Sequence, residues 1–283
     1  MPSLSPIPSN REVGIEIDNY IGHPSQSPEI TSHEYIITQR ILSGGDPNTP
    51  SKPGAVLMCY TEVATANLEE NTQTPLIKLG KQQLFYVEQG RGKIDDGNHF
   101  WDLKPGTGVL IAPETAHRFT STTEEPLQMI LTSWYQKDGV QPIYPIRVRN
   151  IDQIPSEKAA HWDAYIGKEL FGPGDGLHPN EQFSIVHVPP MMMGDPHAHD
   201  VGFEEVWLKL GPDDAYMLLG SSLREMPMHT AYLCPPNGKS VHSNLNLLSD
   251  KTQQWFYFAR FPYPLTNNPD RPIQESKPLN HHS

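Results

Sequence analysis

The residues best placed to do chemistry are histidines. In Pro196-His-Ala-His-Asp-Val-Gly-Phe-Glu-Glu-Val-Trp-Leu-Lys-Leu-Gly211, His197 and His199 stand two apart, so on a strand both rings project from one face. Two imidazoles placed that way can hold one metal ion. Glu204 follows a short Asp-Val-Gly-Phe insert that can turn or bulge and so bring a carboxylate to the same place. His242 comes one hairpin later, in Pro235-Pro-Asn-Gly-Lys-Ser-Val-His-Ser-Asn-Leu-Asn246. Three neutral imidazoles and one carboxylate leave open positions on an octahedral ion, which is what a catalytic metal needs. The predicted metal ligands are therefore His197, His199, Glu204 and His242, with Glu205 as a rival to Glu204.

The rest of the chain must provide strands to carry these side chains. It has 283 residues, 36% of them hydrophobic, and no apolar run long enough to cross a membrane as a helix. Asp and Glu number 33 against 21 Lys and Arg, a net charge of −12. That balance and the lack of a basic cluster exclude nucleic acid as a partner. Twenty-nine prolines and 21 glycines argue against a helical bundle and for short strands joined by tight turns. Two cysteines, Cys59 and Cys234, cannot form a disulfide framework, and the first residues lack a secretion-signal pattern. Together these features predict a cytoplasmic protein.

Runs such as Tyr35-Ile-Ile-Thr-Gln-Arg-Ile, Leu84-Phe-Tyr-Val, Phe183-Ser-Ile-Val-His-Val and Gln254-Trp-Phe-Tyr-Phe alternate with Gly, Pro, Asp and Asn turns. They predict an all-β chain of two similar units, residues 31–140 and 181–265. An extended arm, 1–30, precedes them and a polar tail, 266–283, follows. The connector, 141–180, contains Ser156-Glu-Lys-Ala-Ala-His-Trp-Asp-Ala-Tyr, which predicts a short helix.

The pattern His-x-His-x4-Glu-x6-Gly ending at Gly211 resembles the first signature of the cupin superfamily. Pro-Pro-Asn-Gly followed by His242 and Asn246 is similar to the second. In the first unit, Gln83-Leu-Phe-Tyr-Val-Glu-Gln-Gly90 and the stretch from Asp95-Asp-Gly through His117-Arg-Phe119 resemble the same family. The resemblance implies two tandem cupin (double-stranded β-helix, jelly-roll) barrels with a metal at the mouth of the second. It favours Glu204 over Glu205, because its distance to Gly211 fits the family pattern. In the first barrel Gln83 stands where the glutamate ligand belongs, and Leu76 and Lys78 fall near the paired histidines. Only His117 of that ligand set is left, so this barrel is expected to have lost its metal.

The resemblance also implies a divalent cofactor, iron(II) or manganese(II) first, then zinc, nickel or copper, and a small-molecule substrate. An iron(II) dioxygenase acting on a small polar molecule is the first expectation. A manganese or zinc lyase, isomerase or decarboxylase is the alternative, and a non-catalytic binding protein a further one. His229 is the candidate catalytic base, and Arg260 a candidate partner for an anionic substrate. By analogy, the arm could cover the sheet edge of a second copy in a homodimer.

Overall fold

The computed structural model describes residues 15–136, 145–157 and 165–265. Strands dominate it, and the described helices are single 3-10 turns. No helix among these residues is long and apolar enough to cross a membrane. The expected helix beginning at Ser156 falls largely on residues 158–164, outside the described residues.

The first unit has an eight-stranded sheet whose centre is Thr107–Ile111, Gln82–Gln89, Leu127–Trp134, Glu62–Leu68 and Ile36–Gly44, in that order. Opposite it lies a three-stranded sheet of Arg118–Ser121, Gly92–Asp95 and Phe100–Leu103. The second unit repeats the plan with six strands, centred on Ala231–Leu233, Glu204–Leu210, Gln253–Arg260 and Glu181–Val188. Its smaller sheet is Ser222–Met226, Ala215–Leu219 and His242–Leu245. Within the expected connector, Ile146–Asn150 pairs into the first barrel and Ile166–Phe171 into the second.

Side-chain alternation along these strands divides the buried apolar residues into three cores. Phe85, Val87, Ile94, Val109 and Phe119 fill the first barrel. Val186, Trp207, Met217, Trp255 and Tyr257 fill the second. The third lies between the barrels and draws on both large sheets, through Tyr60, Leu84, Tyr86, Trp134, Phe183, Val206, Leu208, Phe256 and Phe258. Tyr60 and Phe258 meet edge-on there, with ring centroids 4.6 Å apart. The central strands are therefore buried on both faces, as Glu204–Leu210 is throughout its length.

The arm crosses from one unit to the other. Ile21–Gly22 pairs antiparallel with Ala231–Leu233 and so forms an edge of the second barrel's large sheet. A side chain at Gly22 would stand 1.9 Å from the Ile41 carbonyl oxygen, so only glycine allows this approach of the backbones.

Candidate metal centre

The Glu204–Leu210 strand decides which carboxylate reaches the histidines. Glu205, Trp207 and Lys209 point into the second barrel, whereas Glu204, Val206, Leu208 and Leu210 point to the layer between barrels. The structure thus corrects the choice of Glu204: the acidic member of the cluster is Glu205, together with His197, His199 and His242. Glu204 accepts hydrogen bonds from the backbone N–H groups of Met58 (3.1 Å) and Cys59 (2.6 Å) in the other barrel. Burial pushes its carboxyl up to about 7, against those donors.

The four ligand atoms lie within 4.8 Å of one another. His242 Nε2 is 3.2 Å from the Nε2 atoms of both His197 and His199. Glu205 Oε2 stands 3.1 Å from His199 Nε2, and Oε1 3.4 Å from His242 Nε2. Ligands about 2.1 Å from one ion lie about 3 Å apart when adjacent and about 4.2 Å when opposite. The neighbouring separations, 3.1–3.4 Å, are close to those of adjacent ligands.

Local backbone pairing sets the rings. His197 and His242 face each other in an isolated antiparallel bridge, and the His199 carbonyl accepts from Gly238 N–H at 2.8 Å. His197 Nδ1–H donates to the Asp195 carbonyl at 2.8 Å, which leaves Nε2 as the lone-pair nitrogen turned to its neighbours. Converging imidazole lone pairs repel unless a cation is shared among them, so the donor set suits a divalent ion.

The carboxylate is held by donors that sequence inspection did not single out. Trp207 Nε1–H donates to Glu205 Oε1 at 2.7 Å and the Tyr257 hydroxyl to Oε2 at 3.3 Å, while Cys234 Sγ stands 3.5 Å from Oε1. Burial alone would raise the Glu205 carboxyl, but His199, His242 and the Trp207 N–H hold it far below the usual range. Burial opposes a charge on His199, yet the Glu205 carboxylate raises its basicity overall. His199, Glu205 and His242 are buried and His197 is half-buried, so the cluster opens beside His197. Phe203 packs on the His199 ring at 4.7 Å and against Phe261 and Tyr263, giving that side an aromatic wall.

His229 does not join this group. Its backbone N–H bonds to the Lys209 carbonyl, four residues along the strand from Glu205 and about 13 Å away. Its Nε2 contacts Glu88 Oε2 of the other barrel at 2.7 Å, in a cleft of about 370 Å³ between the barrels. The expected catalytic base is thus corrected to an inter-barrel contact. Arg260 pairs with Glu181 at 3.0 Å. Asn244 accepts from the Tyr232 hydroxyl at 2.9 Å, and Asn246 donates to the Val188 and Lys251 carbonyls.

The same backbone ladder can be traced in the first barrel. Ile77 bridges His117 as His197 bridges His242, and Leu79 accepts from Glu114 N–H as His199 does from Gly238. The paired-histidine positions are therefore Ile77 and Leu79, one residue beyond Leu76 and Lys78. On the strand Gln82–Gln89, Gln83 pairs with Ser133 as Glu205 pairs with Ala259, so Gln83 takes the place of Glu205.

A family model described as Cupin domain matches residues 69–133. No curated protein matches the chain by sequence. The glyoxylate-induced protein of Pseudomonas aeruginosa is similar in structure, with TM-score 0.65, 13% identity, and 86% of this chain and 88% of that one covered. Protein Ylba from E. coli gives 0.64 and 12%, covering 89% and 94%. Oxalate decarboxylase from Lactobacillus farciminis gives 0.62 and 10%, covering 88% of both. With a cupin-domain match in its first barrel and the same strand arrangement repeated in its second, the chain has a two-barrel cupin fold.

Proposed function

We propose that the second barrel is the active site of a metal-dependent enzyme acting on a small polar organic molecule, with iron(II)-type dioxygenation as its chemistry. The observation that carries this is the convergence of three imidazole nitrogens and one buried carboxylate, spaced as adjacent ligands of a single ion. An octahedral ion held by four such ligands keeps two further positions. When bound there, iron(II) would supply redox chemistry towards dioxygen at those positions.

The chain's own residues then have distinct tasks. His197, on the open side, marks where the substrate approaches. Phe203, Phe261 and Tyr263 form a wall suited to the flat face of an enol, a phenol or a diketone. Trp207 and Tyr257 fix Glu205 as an anion, so the carboxylate stays a ligand and does not become a proton carrier. The favoured chemistry is one that needs little acid–base help from the protein, since the base expected at His229 is committed to Glu88 in the inter-barrel cleft.

Elemental analysis of natively purified protein tests the proposal. About one iron per chain, with oxygen uptake in a screen of catechols, enols and diketones, supports it. About one manganese or zinc, without oxygen uptake, transfers the site to lyase, isomerase or decarboxylase chemistry. Small carboxylates belong in that second screen, because the L. farciminis oxalate decarboxylase of similar fold is a formate complex. A protein that refuses every added metal overturns the catalytic reading and leaves a small-molecule-binding barrel.

A further inference from the structure

The first barrel buries a second group of nitrogen and oxygen donors, one of which, His33, comes from outside the matched domain. His33 lies between the strands Glu29–Ser32 and Ile36–Gly44, at a backbone φ of 51°, a left-handed conformation uncommon for a non-glycine residue. The turn buries the ring, with 6% of the residue exposed, inside the barrel. There His33 Nε2 stands 3.3 Å from Gln83 Oε1, and its ring centroid lies 5.3 Å from that of His117. In the second barrel, the His199 and His242 centroids are 5.2 Å apart. The two imidazole pairs are spaced alike.

Both rings are engaged at Nδ1. His117 Nδ1–H donates to the Thr115 carbonyl two residues back, the device that His197 uses with Asp195. This leaves the His117 Nε2 lone pair directed inward, and that atom is buried with no hydrogen-bond partner among the described residues. A buried acceptor without a donor is costly and calls for an occupant. His33 Nδ1 lies 2.7 Å from the Ser32 hydroxyl. With Nδ1–H donating there, Nε2 faces the Gln83 amide oxygen as one lone-pair donor beside another. Phe85 and Phe119 pack on the His33 ring at 5.6 and 6.2 Å and keep the place dry.

We propose that His33, His117 and Gln83 form a second, carboxylate-free metal site that takes a late first-row divalent ion, copper(II) or zinc(II). Imidazole nitrogen suits these ions, and they stand at the high end of the general affinity order. Without an anionic ligand the site is weaker than the cluster around Glu205 and fills after it. The expected loss of metal from the first barrel is thereby revised, because a histidine from a hairpin replaces the missing pair.

The test is a titration of chelator-stripped, full-length protein with copper(II) alone, followed by calorimetry and electron paramagnetic resonance. Wild type is expected to bind two equivalents, the second at least about tenfold more weakly. His33→Ala and His117→Ala should each remove the weaker equivalent and leave the stronger. In a His199→Ala background the copper that stays should couple to two imidazole nitrogens, and it should be lost when His117→Ala is added. Gln83→Glu should tighten the weaker site at least about tenfold, a gain that misfolding cannot produce. The proposal is overturned if either His33→Ala or His117→Ala retains both equivalents, or if wild type saturates at the one equivalent that His199→Ala removes. If His199→Ala removes nothing while His33→Ala and His117→Ala each remove one, this inference stands and the function proposed for the second barrel falls.

Discussion

The two barrels place different side chains on one backbone ladder. Where the second has Glu205, Trp207 and Lys209 facing inward, the first has Gln83, Phe85 and Val87. Where Tyr257 donates to Glu205, the first barrel has Leu131. The carboxylate and the donors that hold it are thus absent together. A buried carboxylate without donors carries an unpaired charge, whereas a glutamine amide needs no such support. The difference teaches that a ligand set is a property of its surroundings: neutral Gln83 beside the His33 imidazole is as self-consistent as anionic Glu205 between an indole and a phenol.

Four measurements would break or sharpen this contrast. The largest effect is expected from Glu205→Ala, which should lower metal affinity in the second barrel by more than about a hundredfold, beyond what loss of a supporting residue costs. Glu204→Ala should leave that affinity nearly unchanged and weaken folding instead. Equal losses of affinity in calorimetric titrations of the two variants would break the assignment of Glu205. Next, Trp207→Phe, which makes the second barrel resemble the first at this position, should cost about tenfold in metal affinity. Unchanged affinity would show that the indole N–H does not support the carboxylate.

A smaller effect concerns Lys209, inward-facing where the first barrel has Val87. Burial lowers its ammonium to about 8, against the nearby Asp213, Glu88 and Asp214. Below that value the folded state holds a charge that is better solvated in the unfolded chain. Between about pH 8 and the ordinary lysine range, the unfolded state binds more protons, so stability rises with pH. Relative to Lys209→Met, wild type should gain at least about 1 kcal/mol across that interval in urea unfolding. A flat difference would show that Lys209 is not held below its ordinary value. Least of all, His229→Ala should leave metal affinity unchanged and cost at most about 1 kcal/mol of stability. A large loss of metal would restore His229 to the site.

Much of this was legible in the sequence, and the failures have a common cause. His197, His199 and His242 were readable because their spacing matches a strand and a hairpin, and Gln83 because its distance from Gly90 fits the same pattern. The choice between Glu204 and Glu205 was not readable. Alternation tells inside from outside only when one face is polar, and Glu204–Leu210 is buried on both sides. The layer between the barrels also claimed His229, whose partner Glu88 is 141 positions away in the chain. His33 gave no signal, since a single histidine in a hairpin has no spacing to recognise. Trp207 and Tyr257 looked like ordinary strand aromatics, and only the cross-strand register brings both to one carboxylate.

The glycine crossing at position 22 has a consequence for synthesis. Ile21–Gly22 leaves the ribosome about 200 residues ahead of its pairing partner, Ala231–Leu233. At about 5–20 residues per second, that edge strand waits at least about 10 s for the sheet it completes. The first barrel can assemble in that interval, but the second is born with an open edge that only this earlier-made segment closes.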